Sequence, residues 1–349
     1  MRMCAAIVRH GHAPRLVAKR SNDVTANDDH AFYGVSTRFA IDKLPCPRWR
    51  FGGSTLFGAS VARTVLARRT RTDLVYGRDL VGVAIASELG LPVVLELHGV
   101  PVPRNRVVVR RIMRKPGFRG LVVISEALRR DLDAEGLLPD RVVVAHDAAD
   151  LPTTALARLS STGRPRVGYV GGLYPGRGIE VVIALAERMA HCDVEIVGGS
   201  EQDVARWRAR TSTPNLTFTG FVPPAQLAER YRTFDVLLMP YARTAIYGAA
   251  GMRDSSRWAS PMKMFEYMAT GVPIVSSDLP VLAEVLEHEH NALVAPADDV
   301  PAWVASVQRL LDDRALSDRL AARAASDLAN HYTWDARVQR IFRELTLDA

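Results

Sequence analysis

Short apolar runs alternate with segments of helical periodicity along most of the 349 residues, and no other feature of the sequence constrains the fold as strongly. Residues 93–97 and 167–170 have the length and composition of buried strands, while residues 179–189 and 301–311 repeat apolar side chains at helical spacing. Strands that are joined through helices form parallel sheets with helices on both faces. The sequence therefore predicts an α/β protein built from doubly wound parallel sheets.

The length of the chain and one polar segment indicate two domains. A chain of 349 residues exceeds the size of a single hydrophobic core. Residues 152–165, which are rich in Thr, Ser, Gly and Pro, separate the two strand–helix blocks. We predict a first domain over residues 1–155 and a second over residues 156–334.

The beginning of the chain departs from the usual order of a doubly wound domain. Such a domain opens with a buried strand and a glycine-bearing turn, but residues 1–10 already have the spacing of a helix, which Gly11 would end. We expect the first strand of this domain to be missing. Either the true start lies upstream, which is the favoured explanation, or the fold closes differently.

Positive charge is concentrated in the first half of the chain. Residues 1–150 hold 24 Lys and Arg against 15 Asp and Glu, a net charge of +9, whereas the whole chain carries +7. Seven of these cations, with apolar residues at helical spacing between them, are Arg104, Arg106, Arg110, Arg111, Arg114, Lys115 and Arg119. This basic cluster indicates a helix that faces an anionic membrane or an anionic acceptor, or alternatively a solvated arginine-rich face. The lack of interleaved aromatic residues argues against nucleic acid.

The cysteines and the apolar runs indicate the cytoplasm. Cys4, Cys46 and Cys192 are odd in number and far apart, which argues against a disulfide framework or a zinc site. Charged residues, Gly and Pro interrupt the apolar stretch at residues 80–97, and the first residues lack a signal-peptide pattern. We expect a cytoplasmic protein without a metal. The basic cluster could hold this protein at the cytoplasmic face of a membrane.

The stretch from Ser260 to Gly271 has the signals of a helix that binds an anion at its beginning. Ser260 suits the N-cap, Pro261 suits the first helical position, and Gly271 would end the helix. Free N–H groups at a helix start attract phosphate, and Lys263 would add a positive charge there. Glu266, one turn further on, could accept hydrogen bonds from ribose hydroxyls. The simpler interpretation is a capped amphipathic helix with an exposed Lys–Glu pair.

A glycine-rich turn joins a predicted strand to a predicted helix at residues 167–180. Gly171 and Gly172 would let the backbone approach a phosphate, and Arg177 could hold its oxygens in a fork. The spacing nearly matches a P-loop, yet Arg177 replaces the lysine and Gly178 replaces the magnesium-binding Ser or Thr. A turn without a ligand is the alternative.

His98 is a further candidate. It follows the predicted strand at residues 93–97, and ligands of open parallel sheets bind at strand ends. Its ring could contact a sugar hydroxyl or support departing charge, although a lone histidine is more often structural.

Together these segments resemble glycosyltransferase family 4, a large retaining family with the GT-B fold of two Rossmann-like domains that face a cleft. The motifs that carry the resemblance occur in order along nearly the whole chain, at residues 10–12, 73–78, 95–99, 123–128, 144–147, 220–223, 235–241 and 260–277. Their number and order make the resemblance more specific than any single motif.

The resemblance implies transfer of a hexosyl or similar sugar from a nucleotide diphosphate-sugar to an acceptor, with retention of configuration and without a metal. The first domain would bind the acceptor, a glycan or lipid-linked glycan, as in polysaccharide biosynthesis, and residues 335–349 would cross back onto it. The second domain would bind the nucleotide sugar. His98, Arg177 and Lys263 are the implied catalytic residues. The implied donor contacts are Gly171, Gly172, Arg177, Phe221, Val222, Ser260, Met262, Lys263 and Glu266.

The sequence departs from the family pattern in three places. Gly172 stands where the family often has a phosphate-binding Arg, Trp258 stands where the first of two paired glutamates would be, and the first strand with its glycine loop is missing. Other functions therefore stay open. They are a nucleotide-sugar-binding protein with weak or no catalysis, a sugar-nucleotide epimerase and, as the weakest alternative, a P-loop hydrolase.

Overall fold

The computed structural model describes residues 1–20, 28–45, 53–152, 163–243 and 256–347, with the backbone alone for residues 53–56. The chain forms two compact units. Unit 1 comprises Met1–His146 with Trp334–Ala349, and unit 2 comprises Asp147–Thr333. Cys46 and most of the predicted linker, residues 153–162, lie outside the described residues.

Unit 1 begins with a helix, as the spacing of residues 1–10 predicts. Its elements are α1 (Arg2–Arg9), β1 (Arg15–Lys19), α2 (Asp29–Phe32), β2 (Ala40–Leu44), α3 (Gly53–Arg68), β3 (Val75–Gly77), α4 (Leu80–Glu88), β4 (Val93–Leu97), α5 (Pro103–Met113), β5 (Phe118–Val123), α6 (Glu126–Ala134) and β6 (Val142–Val144). Strands β3, β4, β5 and β6 lie in this order in a parallel sheet, and β1 and β2 form a separate parallel pair.

Strand β2 is absent from the expectations drawn from the sequence. None of its five residues is fully buried, so its sequence lacks the apolar run that marks the central strands. It pairs with β1 in parallel register, and an ion pair of 2.8 Å between Arg15 and Asp42 links the two strands. By contrast, every residue of β4 is buried, and β4 has the predicted bounds.

Unit 2 is a doubly wound domain around one parallel sheet. Its elements are β7 (Arg166–Val170), α7 (Ile179–Arg188), β8 (Asp193–Val197), α8 (Glu201–Arg208), β9 (Leu216–Gly220), α9 (Leu227–Tyr231), β10 (Val236–Met239), α10 (Met262–Met268), β11 (Ile274–Ser277), β12 (Leu293–Ala295), α11 (Val300–Asp312) and α12 (Arg314–Asp327). The strand order is β12-β11-β10-β7-β8-β9. The winding direction therefore reverses between β7 and β10, and the crevice at the carboxyl ends of two such strands is where open sheets bind ligands.

The last helix, α13 (Trp334–Leu345), belongs to unit 1 and packs against α1, β5 and β6. Its buried apolar residues, Val338, Ile341, Phe342 and Leu345, recur at helical spacing. Gly120 on β5 makes room for this helix, because a Cβ there would lie 2.4 Å from Leu345. None of the helices in the described ranges is long and apolar enough to cross a membrane.

Candidate functional site

The loops that follow β7, β8 and β10 approach one another backbone to backbone. Gly178, with φ of +71°, begins α7, and a Cβ there would lie 1.5 Å from the carbonyl oxygen of Pro240. A Cβ on Gly198 would lie 2.1 Å from the carbonyl oxygen of Gly171. The Ser or Thr that a P-loop needs at residue 178 therefore has no space, which counts against the hydrolase alternative.

Two cations predicted for the donor site meet at the reversal between β7 and β10. The guanidinium carbon of Arg177 lies 4.8 Å from the ring centre of Tyr241, and Nη1 donates a hydrogen bond to the Tyr241 hydroxyl. Nζ of Lys263, from α10, lies 4.5 Å from the same ring centre and 4.0 Å from that of Tyr169. Both rings are buried. Side chains from three separate segments thus form one cationic centre.

The amine of Lys263 is in an unusual environment. Its Nζ is buried and has no hydrogen-bond partner among the residues that the structure describes, although the side chain as a whole is half-buried. Burial, followed by the charge of Arg177, lowers the pKa of Lys263 well below the usual lysine value, while Glu266 acts in the opposite direction. A perturbed pKa in a crevice at strand ends is typical of a functional group.

Glu266 lies one turn beyond Lys263 and accepts a hydrogen bond of 3.1 Å from the Tyr231 hydroxyl. The next residue, Tyr267, fixes α10 to the end of β7, because its hydroxyl oxygen accepts a 2.8 Å hydrogen bond from the Val170 N–H. No sequence pattern pointed to the tyrosines of this region. They are Tyr169, Tyr231, Tyr241 and Tyr267.

The prediction that Ser260 caps the helix is wrong. Helix α10 begins at Met262, with Pro261 at the N-cap position and no side-chain cap. The Ser260 hydroxyl instead accepts a 2.7 Å hydrogen bond from the N–H of Asp147, a contact that no local pattern announces. The interpretation of an exposed Lys–Glu pair is also wrong, because Nζ of Lys263 is buried.

The remaining candidate donor contacts lie near the same edge of the sheet. Gly172 accepts a 2.7 Å hydrogen bond from the Tyr169 hydroxyl, and a Cβ on Gly172 would meet the ring of Tyr174 at 2.7 Å. Phe221 and Val222 follow β9, which lies two strands from β7, or about 10 Å away. Phe221 is 65% exposed, and Met262 is exposed as well.

In unit 1, His98 is held by a buried carboxylate. Its Nε2 lies 2.6 Å from Oε1 of Glu96, which also accepts hydrogen bonds from the Tyr76 hydroxyl and, at 3.1 Å, from Arg337 of α13. Burial acts to raise the pKa of Glu96, but the Arg337 charge and the bonds from His98 and Tyr76 lower it below its ordinary value. The one sequence signal for this role of Glu96 is that it is a glutamate inside an otherwise apolar strand.

The basic cluster is partly neutralised within unit 1. Arg106 pairs with Glu135, and both Arg111 and Lys115 pair with Glu88, at 2.6 and 2.7 Å. Hydrogen bonds from Arg111 and Lys115 lower the pKa of Glu88 to about 2. Within the cluster, Arg110 donates a 3.2 Å hydrogen bond to the carbonyl oxygen of Glu135. Three exposed cations of the cluster make neither an ion pair nor a side-chain hydrogen bond in the described part of the chain, and they are Arg104, Arg114 and Arg119.

The predicted absence of a metal stays a prediction. Across the described ranges, no group of three or more His, Cys, Asp or Glu side chains lies close enough to hold a metal ion.

Comparisons with known proteins agree with this architecture. The family model "Glycosyl transferases group 1" matches residues 164–313, which include Arg177, Lys263 and Glu266. A phosphatidyl-myo-inositol mannosyltransferase of Mycolicibacterium smegmatis is 28% identical over 65% of this chain, and a 2-deoxystreptamine N-acetyl-D-glucosaminyltransferase of Streptomyces fradiae is 25% identical over 85%. The chain is similar to these glycosyltransferases.

The match spans 58% of the mycobacterial relative and 78% of the Streptomyces relative. Solved structures show the same fold as this chain. Sucrose-phosphate synthase from Thermosynechococcus elongatus superposes with a TM-score of 0.72 at 16% identity, over 99% of this chain and 92% of that one. An Anabaena protein in complex with UDP and glucose superposes with a TM-score of 0.69 at 16% identity, over 96% of this chain and 100% of that one. The predicted GT-B fold is confirmed.

Proposed function

We propose that the chain transfers a hexosyl or similar sugar from a nucleotide diphosphate-sugar to a glycan or lipid-linked glycan, with retention of configuration. The observation that carries the proposal is the meeting of Arg177 and Lys263 at the carboxyl ends of β7 and β10. A diphosphate would accept charge-assisted hydrogen bonds from this pair, and hydrogen bonds of that kind are the strong ones. The relatives named as transferases of mannose and N-acetylglucosamine support sugar transfer.

The donor would bind along the carboxyl edge of the unit 2 sheet. Arg177 and Lys263 would hold the diphosphate, together with the backbone of Gly171, Gly172, Ser260 and Met262. Glu266, which already accepts one hydroxyl hydrogen bond, would accept others from the ribose. The main chain at Phe221 and Val222 would contact the base.

The proposed chemistry breaks the bond between the anomeric carbon and the diphosphate oxygen. The electron pair leaves with the diphosphate, where Arg177 and Lys263 stabilise the developing charge. The acceptor oxygen bonds to the anomeric carbon on the face that the diphosphate leaves, and its proton passes to the departing oxygen. His98, whose ring Glu96 fixes at 2.6 Å, is the proposed contact to the sugar. The nucleotide sugar is the co-substrate, and no metal takes part.

We place the protein in the cytoplasm, with peripheral contact to an anionic membrane. The ion pairs within the basic cluster and the hydrogen bond of Arg110 to the Glu135 carbonyl leave the side chains of Arg104, Arg114 and Arg119 for such contact. Val107 lies one turn from Arg104 on α5 and is 67% exposed, so an apolar side chain accompanies this charge. Such a surface suits a lipid-linked acceptor.

Nucleotide titration tests donor binding. We expect at least one of UDP, GDP, ADP or their sugars to raise the melting temperature. Arg177→Ala and Glu266→Ala should each weaken the binding of that ligand by about 1–3 kcal/mol, the typical free energy lost with a hydrogen bond to a charged group. Arg314→Ala, which removes an exposed arginine of unit 2, should leave the affinity unchanged. The assignment fails if no nucleotide stabilises the protein or if all three variants bind alike.

Product analysis tests catalysis. Incubation of the bound nucleotide sugar with candidate acceptors should release the nucleoside diphosphate and form a glycoside with the donor's anomeric configuration. Binding without any release of nucleotide would instead support a non-catalytic protein. Conversion of the sugar without an acceptor would support an epimerase.

A further inference from the structure

Lys263 is an exception in a chain that uses arginine for nearly all its cations. Only four of the 45 Lys and Arg residues are lysines, and Lys263 is the single lysine of unit 2. A guanidinium stays charged at any accessible pH, whereas a buried amine can release its proton. The residue type at 263 therefore suits a group that changes its charge.

The surroundings of the amine form a cage defined by the rings of Tyr169 and Tyr241. Nζ of Lys263 lies 4.0 and 4.5 Å from the ring centres of Tyr169 and Tyr241, and a Cβ on Gly171 would lie 3.4 Å from Nζ. The ring faces favour a cation. However, no described group accepts a hydrogen bond from Nζ, and Arg177 already places a positive charge over the Tyr241 ring.

The other titratable groups that face the amine are three phenols and one carboxylate. Burial raises the pKa of Tyr169 well above its ordinary value and that of Tyr241 to about 12, so both phenols are neutral near pH 7. Burial also raises the pKa of Tyr267, and its hydroxyl bonds the backbone of Val170. Among the residues that the structure describes, Glu266 is the single carboxylate that favours the charged amine, and it accepts a hydrogen bond from Tyr231. The arrangement leaves Lys263 poised to accept charge once an anion enters.

We propose that the Lys263 amine, buried beside Arg177 and without a hydrogen-bond acceptor among the described residues, is uncharged in the empty protein at mildly alkaline pH, and that it takes up one proton from solvent when a nucleotide diphosphate binds. The inference rests on the proposed donor site. The balance is simple, because the neutral amine and one solvent proton become an ammonium group, and the proton returns to solvent when the diphosphate leaves. The direction of the pKa shift of Lys263 agrees with this behaviour.

The empty protein is tested by nuclear magnetic resonance with isotope-labelled lysine. Four lysine side-chain signals are expected, and the signal of Lys263 is the one lost in Lys263→Met. It should titrate well below the ordinary lysine value of about 10.4. Arg177→Met should move the titration upward by removing a neighbouring charge, while Lys19→Met, which removes an exposed lysine over the ring of Phe57, should leave it in place. An Lys263 signal that titrates at the ordinary value overturns the inference without testing nucleotide binding.

Calorimetry tests the proton uptake. The nucleotide sugar that gives the largest thermal shift among UDP-glucose, GDP-mannose and ADP-glucose is titrated at about pH 8 in buffers of different ionisation enthalpy. A nucleotide sugar is used because it lacks a terminal phosphate, which would ionise near pH 6. Uptake approaching one proton per ligand is expected for wild type and for Lys19→Met, and none for Lys263→Met. Binding without proton uptake refutes the inference alone, whereas the absence of binding refutes the proposed function as well.

Discussion

Lys263 has a cost in the empty protein that can be measured. Its buried amine makes no hydrogen bond to any described residue, and a buried polar group without a partner destabilises a fold by about 1–3 kcal/mol. Lys263→Met keeps the length of the side chain and removes the polar atom. We expect it to raise the free energy of unfolding by this amount while it weakens nucleotide binding, as functional residues often do.

The pH dependence of that gain has a definite sign. The pKa of Lys263 is lower in the folded protein than the value of about 10.4 in the unfolded chain, so the unfolded chain binds the proton more tightly. Wild type therefore gains stability as pH rises toward that value, and the advantage of Lys263→Met should shrink. Denaturant unfolding of both proteins at several pH values measures this, and a variant less stable than wild type at neutral pH would contradict it.

At the scale of elements, α13 and β4 are joined by a buried ion pair. Arg337 and Glu96 are 4% and 5% exposed and lie 3.1 Å apart, so removal of Arg337 leaves the buried Glu96 carboxylate without its arginine. Arg337→Met should cost about 3–5 kcal/mol, and addition of Glu96→Gln should recover much of the loss. Arg9→Ala, which breaks the exposed pair between Arg9 and Asp335, should cost no more than about 1 kcal/mol. Equal losses in Arg337→Met and Arg9→Ala would show that the buried pair is not special.

Acid has opposite effects on the wild-type protein and the Arg337 variant. The lowered pKa of Glu96 stabilises wild type above the unfolded value of about 4.3, and this contribution is lost as pH falls below it. In Arg337→Met the main cause that lowers the pKa of Glu96 is gone, and burial then favours the protonated carboxyl. Acid should therefore reduce the loss of unfolding free energy that the substitution causes. Unfolding curves at pH values from about 7 to about 3 compare the two.

The loop between β7 and α7 depends on a glycine for two separate reasons. Gly178 has a left-handed backbone, and any Cβ would overlap the Pro240 carbonyl at 1.5 Å. Gly178→Ala should cost about 2–5 kcal/mol, the sum of backbone strain and overpacking. Gly136→Ala is the matched control, since Gly136 has φ of +59° and no atom within 4 Å, and backbone strain alone of about 1–2 kcal/mol applies there. Similar unfolding free energies for the two variants would contradict the close approach of the loops.

The sequence predicts the central elements better than their ends. Strand β4 has its predicted bounds because every residue in it is buried and an apolar run marks it. The start of α10 could not be predicted, because the Ser260 hydroxyl bonds Asp147, far away in sequence. Likewise, Tyr169 within β7 and Tyr241 just after β10 look like ordinary core residues, and only the adjacency of the two strands brings them to Lys263.

At the scale of the whole molecule, the order of strands determines where chemistry can occur. The unit 2 sheet reverses its winding between β7 and β10, and Arg177, Lys263 and Tyr241 all lie at that reversal. This placement was predictable as a strand-end site, because the glycine turn and the Lys263 segment are both readable in the sequence. The net charge of unit 1 was also readable, but the share already neutralised by Glu88 and Glu135 was not.

That residual charge predicts how the molecule behaves at a lipid surface. Vesicles that contain anionic lipid should bind the protein and release it as the salt concentration rises. The reason is that the attraction between exposed charges falls off over about 10 Å at 0.1 M salt, and over a shorter distance at higher salt. The combined change of Arg104, Arg114 and Arg119 to Gln should reduce binding by more than about tenfold, since each basic residue near an anionic surface contributes about 1 kcal/mol.

A charge-matched control separates this surface from the net charge of the protein. It carries the same change to Gln at three exposed arginines of unit 2, Arg188, Arg210 and Arg314. If the surface of unit 1 binds the membrane, the control should retain most of the binding to anionic vesicles measured by co-sedimentation, and neither variant should bind neutral vesicles. Equal losses in the two variants would mean that net charge alone is responsible, and a wild-type protein that ignores anionic vesicles would remove the membrane from the proposed function while leaving the donor site untouched.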